Sequence, residues 1–110
     1  MSQSSLPPFL KWGDYKSKDA KSPDTIQVVV VDPESFETQY DWNVLVTLDM
    51  MDVNIPLKAK STNKILYRQY NKLLHSGKIQ SGTVLQIKTW LRQSSKNPEK
   101  ELRDFEVKPL

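Results

Sequence analysis

The stretch "STNKILYRQYNKLLHSG", residues 61–77, is where the reading of the fold turns. Upstream of it the hydrophobic residues alternate with period two. Within it Leu66, Tyr70, Leu73 and Leu74 recur at helical spacing, with Ile65 alongside. Ser61 or Thr62 can cap the start of a helix, and Gly77 follows its far end. Lys64, Arg68 and Lys72 take the other sides and read as a solvated basic edge. A single short apolar stripe suits a helix laid over one end of a sheet.

Three strand-like segments precede the helix. "TIQVVVV", residues 25–31, is β-branched and apolar in both phases from Val28 to Val31, which predicts a first strand covered on both faces over part of its length. "DPESFETQY", residues 32–40, reads as a turn-rich loop opened by Asp32-Pro33. In residues 41–49 Trp42, Val44, Val46 and Leu48 share the inward phase. "DMMD", residues 49–52, is the expected hairpin tip. In residues 53–60 Val53, Ile55, Leu57 and Ala59 point inward; Pro56 cannot donate to a ladder, so this third strand needs a weakly paired side.

Two segments follow the helix. Residues 83–92 form the fourth strand, with Leu85, Ile87, Thr89 and Leu91 in one phase and Gln86, Lys88, Trp90 and Arg92 in the other. After the polar loop at 94–101, residues 102–108 form a short fifth strand with Phe105 and Val107 inward. The order is strand, strand, strand, helix, strand, strand. That order predicts an all-β fold with one helix: an OB-fold, a five-stranded Greek-key β-barrel with the helix between strands three and four. Residues 25–110 make up this domain. Residues 1–24 are a tail and lead-in, partly packed on it, since "PPFLKWGDYK" carries Phe9, Leu10, Trp12 and Tyr15.

The 110 residues suffice for one domain. The absence of cysteine excludes disulfides, thiolate metal sites and cysteine nucleophiles. No apolar run is long enough to span a bilayer or to serve as a signal peptide, so a soluble cytoplasmic protein without membrane partners is expected, lying on the nucleoid if it binds DNA. Charge is segregated. Residues 25–57 carry six acids and no Lys or Arg, whereas residues 58–92 carry eight cations and no acid. Such separation points to a polyanion or to pairing between the two halves of the domain.

Catalysis finds little support. The one histidine, His75, sits at the helix end, where a cation complements the dipole. Gly13, Gly77 and Gly82 are too far apart for a phosphate loop. Asp49 and Asp52 read as a solvated tip, not as a metal site. No enzyme activity, cofactor or metal is expected.

A single strand needs cations along its phosphates and flat groups under its bases. Lys88, Trp90 and Arg92 share one strand face, about 7 Å from each to the next along the strand. Lys58 and Lys60 close the third strand on its polar phase. Phe36 and Tyr40 stand in the loop between strands one and two, with Lys96, Asn97 and Lys100 in the loop between strands four and five. Trp12 belongs to the lead-in. Alternatively, Trp90 lies under the N-terminal segment, against Leu6, Phe9 or Trp12.

The element order, with "FLKWGD" in the lead-in and "SGTVLQIK" opening strand four, resembles single-stranded DNA-binding proteins of the OB type. It resembles in particular the minimal one-barrel archaeal and phage forms and the modules of replication protein A. The resemblance spans roughly residues 9–108. It implies binding of single-stranded DNA, or of RNA, with little sequence preference, in replication, repair or recombination, alongside other proteins of those processes. The ending "RDFEVKPL" departs from the acidic tail of the bacterial type. The main alternative is a protein-interaction module or a subunit of a nucleoprotein complex. An SH3-like or sandwich domain and an oligosaccharide binder are further readings.

Overall fold

Alternating β-branched residues and one helical stripe become five antiparallel strands and a helix. The structure, a computed structural model, describes residues 7–38, 41–57 and 65–110. The strands are β1 (Asp24–Glu37), β2 (Trp42–Leu48), β3 (Met51–Pro56), β4 (Val84–Gln93) and β5 (Glu101–Pro109), with α1 (Ile65–His75) between β3 and β4. They form one sheet in the order β3-β2-β1-β4-β5. Among the described residues this sheet is open, with β3 and β5 at its edges.

β1 is longer than its sequence suggests, because it runs on through Asp32-Pro33 and the expected loop. Its first half pairs with β4 (Asp24 opposite Thr89, Val28 opposite Leu85), and its second half pairs with β2 (Val30 opposite Val46, Phe36 opposite Asn43). The register shifts on both sides of Asp32. Such irregularities accommodate a proline that has no N–H for the ladder and let the strand bend between its two partners.

The inward phases meet in one interior. Val28, Val44, Val46, Ile55, Leu85, Ile87 and Val107 come from all five strands, and Leu66 and Tyr70 enter from α1. Each such burial contributes roughly 1.5–3 kcal/mol. Tyr67, which sequence spacing left off the apolar stripe, is half-buried, its ring 6.1 Å from that of Trp42. The helix ends in a Schellman closure. Gly77 adopts φ 77°, its N–H donates to Leu74 O, and Lys78 N–H donates to Leu73 O. The expected caps Ser61 and Thr62, the edge residue Lys64 and the inward Ala59 lie outside the described residues.

Both sheet edges are covered. At β3, Asn54 N–H donates to Pro8 O and Leu10 N–H donates to Asn54 O, so residues 8–10 lie alongside in parallel. This explains why Asn54, on the outward phase, is buried. At β5, the amide of Gln69 on α1 donates to Phe105 O at 2.7 Å and accepts from Val107 N–H at 2.8 Å, in the manner of a sixth strand. From Leu10 the lead-in continues as a strap through a 3-10 turn at Trp12–Asp14. It ends beside β4, where Leu91 N–H donates to Ser17 O, and beside β5, where Arg103 donates to Tyr15 O at 2.7 Å. Among the described residues, no helix is long and apolar enough to cross a membrane.

Candidate nucleic-acid interface

β4 alternates cleanly, and this alternation decides where its tryptophan goes. Leu85, Ile87 and Thr89 are buried on the inner face. Lys88 and Trp90 are half-buried on the outer face, and Arg92 is exposed there. Trp90 does not belong to the apolar core or to the shell packed against it. The alternation therefore answers why an indole stands between two cations on the water-facing side: it is held by the sheet's outer surface, not by the core.

The strip is not purely cationic. Across the β4–β5 ladder Lys88 faces Glu106, Trp90 faces Asp104 and Arg92 faces Leu102. Arg92 Nε lies 2.9 Å from Asp104 Oδ2, so part of its charge is already answered. Lys18 of the strap meets Glu101 of β5 at 3.2 Å, a largely exposed pair worth little to stability. Among the described residues, neither ion pair joins the acidic stretch 25–57 to the basic stretch 58–92. The carboxylates come from the C-terminal strand.

The strap adds cations that sequence reasoning missed. The bond from Leu91 N–H to Ser17 O, at 2.7 Å, brings the strap backbone, with the exposed Lys16 and Lys18 on either side of Ser17, alongside the end of β4. Ser17 is held in turn, since its N–H donates to Asp24 Oδ2 at 2.9 Å. Arg103 supports this corner from within, donating to Thr89 Oγ1 as well as to Tyr15 O. Its pKa is lowered by burial, against the opposing pull of Asp24 and Glu101. Burial chiefly, with Asp14, Asp49 and Asp24, raises the Tyr15 pKa. In sequence, only the large apolar residues of "PPFLKWGDYK" hinted that the lead-in packs.

The remaining expected site residues are scattered. Trp12 is a core residue, not a stacking platform. It is 6% exposed, donates from Nε1 to Pro56 O at 2.8 Å and meets Phe105 edge-on at 4.9 Å. Phe36 is exposed, but it sits at the opposite end of β1 from the segment facing Trp90. Lys58, Lys60 and Tyr40 lie outside the described residues. The loop after β4 folds on itself: Ser94 Oγ accepts from the N–H groups of Lys96 and Asn97, and Lys100 N–H donates to Asn97 O. Lys96 and Lys100 are exposed on it.

Among the described residues, no group of three or more His, Asp or Glu side chains is arranged to hold a metal ion. His75 is exposed at the end of α1. Among the described residues, one buried side-chain polar atom has no hydrogen-bond partner: Asn43 Oδ1, on a side chain whose amide donates to Thr38 Oγ1 and Asp41 O. The arrangement on β4 sets one half-buried indole on the outer face between two cations, with counter-charges across the ladder. No protein-family model, no curated protein and no solved structure matches this chain.

Proposed function

We propose that the chain is an OB-type barrel that binds single-stranded nucleic acid, DNA in preference to RNA, with little sequence preference. Its setting would be replication, repair or recombination. Strand order supports the barrel. The order β3-β2-β1-β4-β5, with β1 shared between two halves and a helix inserted before β4, is that of a Greek-key barrel cut at one seam. The strap and Gln69 cover that seam from either side.

The observation that carries the binding reading is the position of Trp90. Its indole stands outside the core, on an outer sheet face, with Lys88 and Arg92 two residues away on either side. A stacked base contributes roughly 1–3 kcal/mol whatever its identity. The guanidinium has five N–H donors, so the bond to Asp104 leaves others for a phosphate. Asp104 and Glu106 lower the gain from charge alone, which makes stacking on Trp90 the decisive contribution.

The test is a titration with oligo-dT at low and high salt, read by tryptophan fluorescence. Quenching that weakens with salt and disappears in Trp90→Ala is the expected result. Trp12 is sealed in the core and should not respond to contact. No binding at low salt would sink this reading. The rival, a protein-interaction module, draws on the exposed Met50 and Met51 of the β2–β3 turn.

A further inference from the structure

Residues 28–31 of β1 are apolar in both phases, but the fold covers only one of them. Val28 and Val30 are 1% exposed inside the sheet, while Val29 and Val31 on the outer face are 39% and 36% exposed. The register shows what lies beside them. Val29 stands between Thr47 of β2 and Val84 of β4, and Leu45, opposite Asp32, continues the face toward Asn54 of β3. Phe9 of the strap pairs with Asn54 and Phe36 pairs with Asn43, so both exposed rings fall on this same face. The other exposed large apolar side chains among the described residues adjoin it: Met50 and Met51 at the β2–β3 tip, and Leu110, whose N–H donates to Val84 O. A free sheet face this apolar marks a contact surface.

Its charge defines the partner. Asp32 and Glu34 share the outward phase of β1 with Phe36, Asp52 accepts from Thr47 Oγ1 at 3.2 Å, and Asp49 lies at the tip. All four carboxylates are exposed, and among the described residues neither ion pair involves them. β1, β2 and β3 hold no Lys or Arg; Lys11 in the strap and Lys108 on β5, opposite Gln86, stand at the rims. A polynucleotide on this face would set its phosphates against the carboxylates, and a second copy would bring the same excess of carboxylate to the contact. An apolar segment edged with lysine or arginine matches both features.

We propose that the outer face of β1, β2 and β3 binds a partner protein through such a segment. Its apolar side chains rest on Val29, Val31, Leu45 and Phe36, and its cations meet Asp32, Glu34 and Asp52. The surface goes beyond the nucleic-acid reading, whose strip at Trp90 lies toward the other end of β1, and it is tested without nucleic acid.

The experiment titrates the chain into fluorescein-labelled amphipathic peptides of about 14 residues, roughly four helical turns, read by anisotropy. A Leu/Lys peptide should bind at low salt and weaken as salt rises; a Leu/Glu peptide and a Ser/Lys peptide should not bind. The chain as a whole carries +3, so without this site the acidic peptide is the one it favours. Val29→Thr with Val31→Thr keeps β-branched residues at exposed positions and should weaken the Leu/Lys peptide about tenfold. Phe36→Thr, on the same face, should weaken it as well, and Asp32→Asn with Asp52→Asn should remove most of the salt dependence. Circular dichroism and thermal unfolding verify that each variant is folded. No binding of the Leu/Lys peptide, preference for the Leu/Glu peptide, or binding indifferent to these substitutions overturns the proposal. Sedimentation that reveals self-association lost in the valine variant assigns the face to a second copy, and oligo-dT binding lost in that variant assigns it to nucleic acid; either result overturns it too. Oligo-dT that binds nowhere sinks only the nucleic-acid reading, and the peptide titrations still decide this surface.

Discussion

Trp12 and Trp90 carry the same side chain to opposite ends. Trp12 fills the space between the β3 and β5 edges and has its N–H satisfied by Pro56 O. Trp12→Ala leaves a large cavity and an orphaned carbonyl, and should cost about 3–5 kcal/mol. That is a large part of the roughly 5–15 kcal/mol a small domain possesses. Trp90→Ala should cost about 1 kcal/mol or less. Urea titrations of the two variants check the contrast; comparable losses would make Trp90 a core residue. Tyr70 provides a second test. Its hydroxyl donates to Pro33 O at 2.6 Å, and burial chiefly, with Asp32 and Glu34, holds its pKa well above the usual value. In the unfolded chain the same phenol ionises near about pH 10. Its contribution is therefore complete below that pH and is lost as pH rises toward the folded value. Tyr70→Phe should lose about 1–2 kcal/mol at neutral pH and show a shallower alkaline decline. Denaturant titrations at neutral pH and above pH ~10 test both statements. A decline as steep as the wild type's would clear Tyr70 of the alkaline loss.

At the level of elements, the edges decide whether this sheet pairs with another. β3 is covered by residues 8–10 and carries Pro56, and β5 is capped by Gln69. Gln69→Ala removes two hydrogen bonds, roughly 2 kcal/mol, and bares the Phe105–Val107 edge. Lower urea resistance together with concentration-dependent light scattering is the expected outcome. A variant as stable and as soluble as the wild type would mean that the amide clamp is incidental. The elements themselves were largely legible. β2, β4 and β5 agree with their alternation to within a residue or so, because alternation records burial on one side of a strand. α1 was legible from its stripe and from Gly77. β1 was not, since Asp32-Pro33 carries a strong local turn signal and only pairing with β2 carries the strand through it. The strap was half legible: its apolar residues announced packing, but nothing announced where.

Across the whole molecule, charge and apolar surface are divided. The β2–β3 tip is acidic and exposes methionine, while the outer face of β4 carries a half-buried indole between two cations, with Asp104 and Glu106 facing them from β5. In a single-stranded complex Lys88→Ala should flatten the dependence of log K on log salt by about 0.7, the contribution of one phosphate contact. Oligo-dT titrations at several salt concentrations measure this, and an unchanged slope takes Lys88 out of the contact. The candidate site was legible in part for the same reason as the strands. Lys88, Trp90 and Arg92 share a face because they are two residues apart, which no distant contact can alter.

What the sequence alone determined is the local part: which stretches alternate, where the period changes to that of a helix, and the chain order of five strands and one helix. These follow from neighbours a few positions apart. What only the tertiary structure decided is the part made by distant pairs. Trp12 is buried because Pro56 and Phe105 converge on it. The strap lies beside β4 and β5 because Tyr15 and Ser17 bond to Arg103 and Leu91, and there Lys18 meets Glu101. Arg92 is partly neutralised because β5 brings Asp104 beside it. Contacts closed over such long loops leave no periodic trace in the chain, so only the assembled sheet determines which tryptophan is sealed and which one meets water.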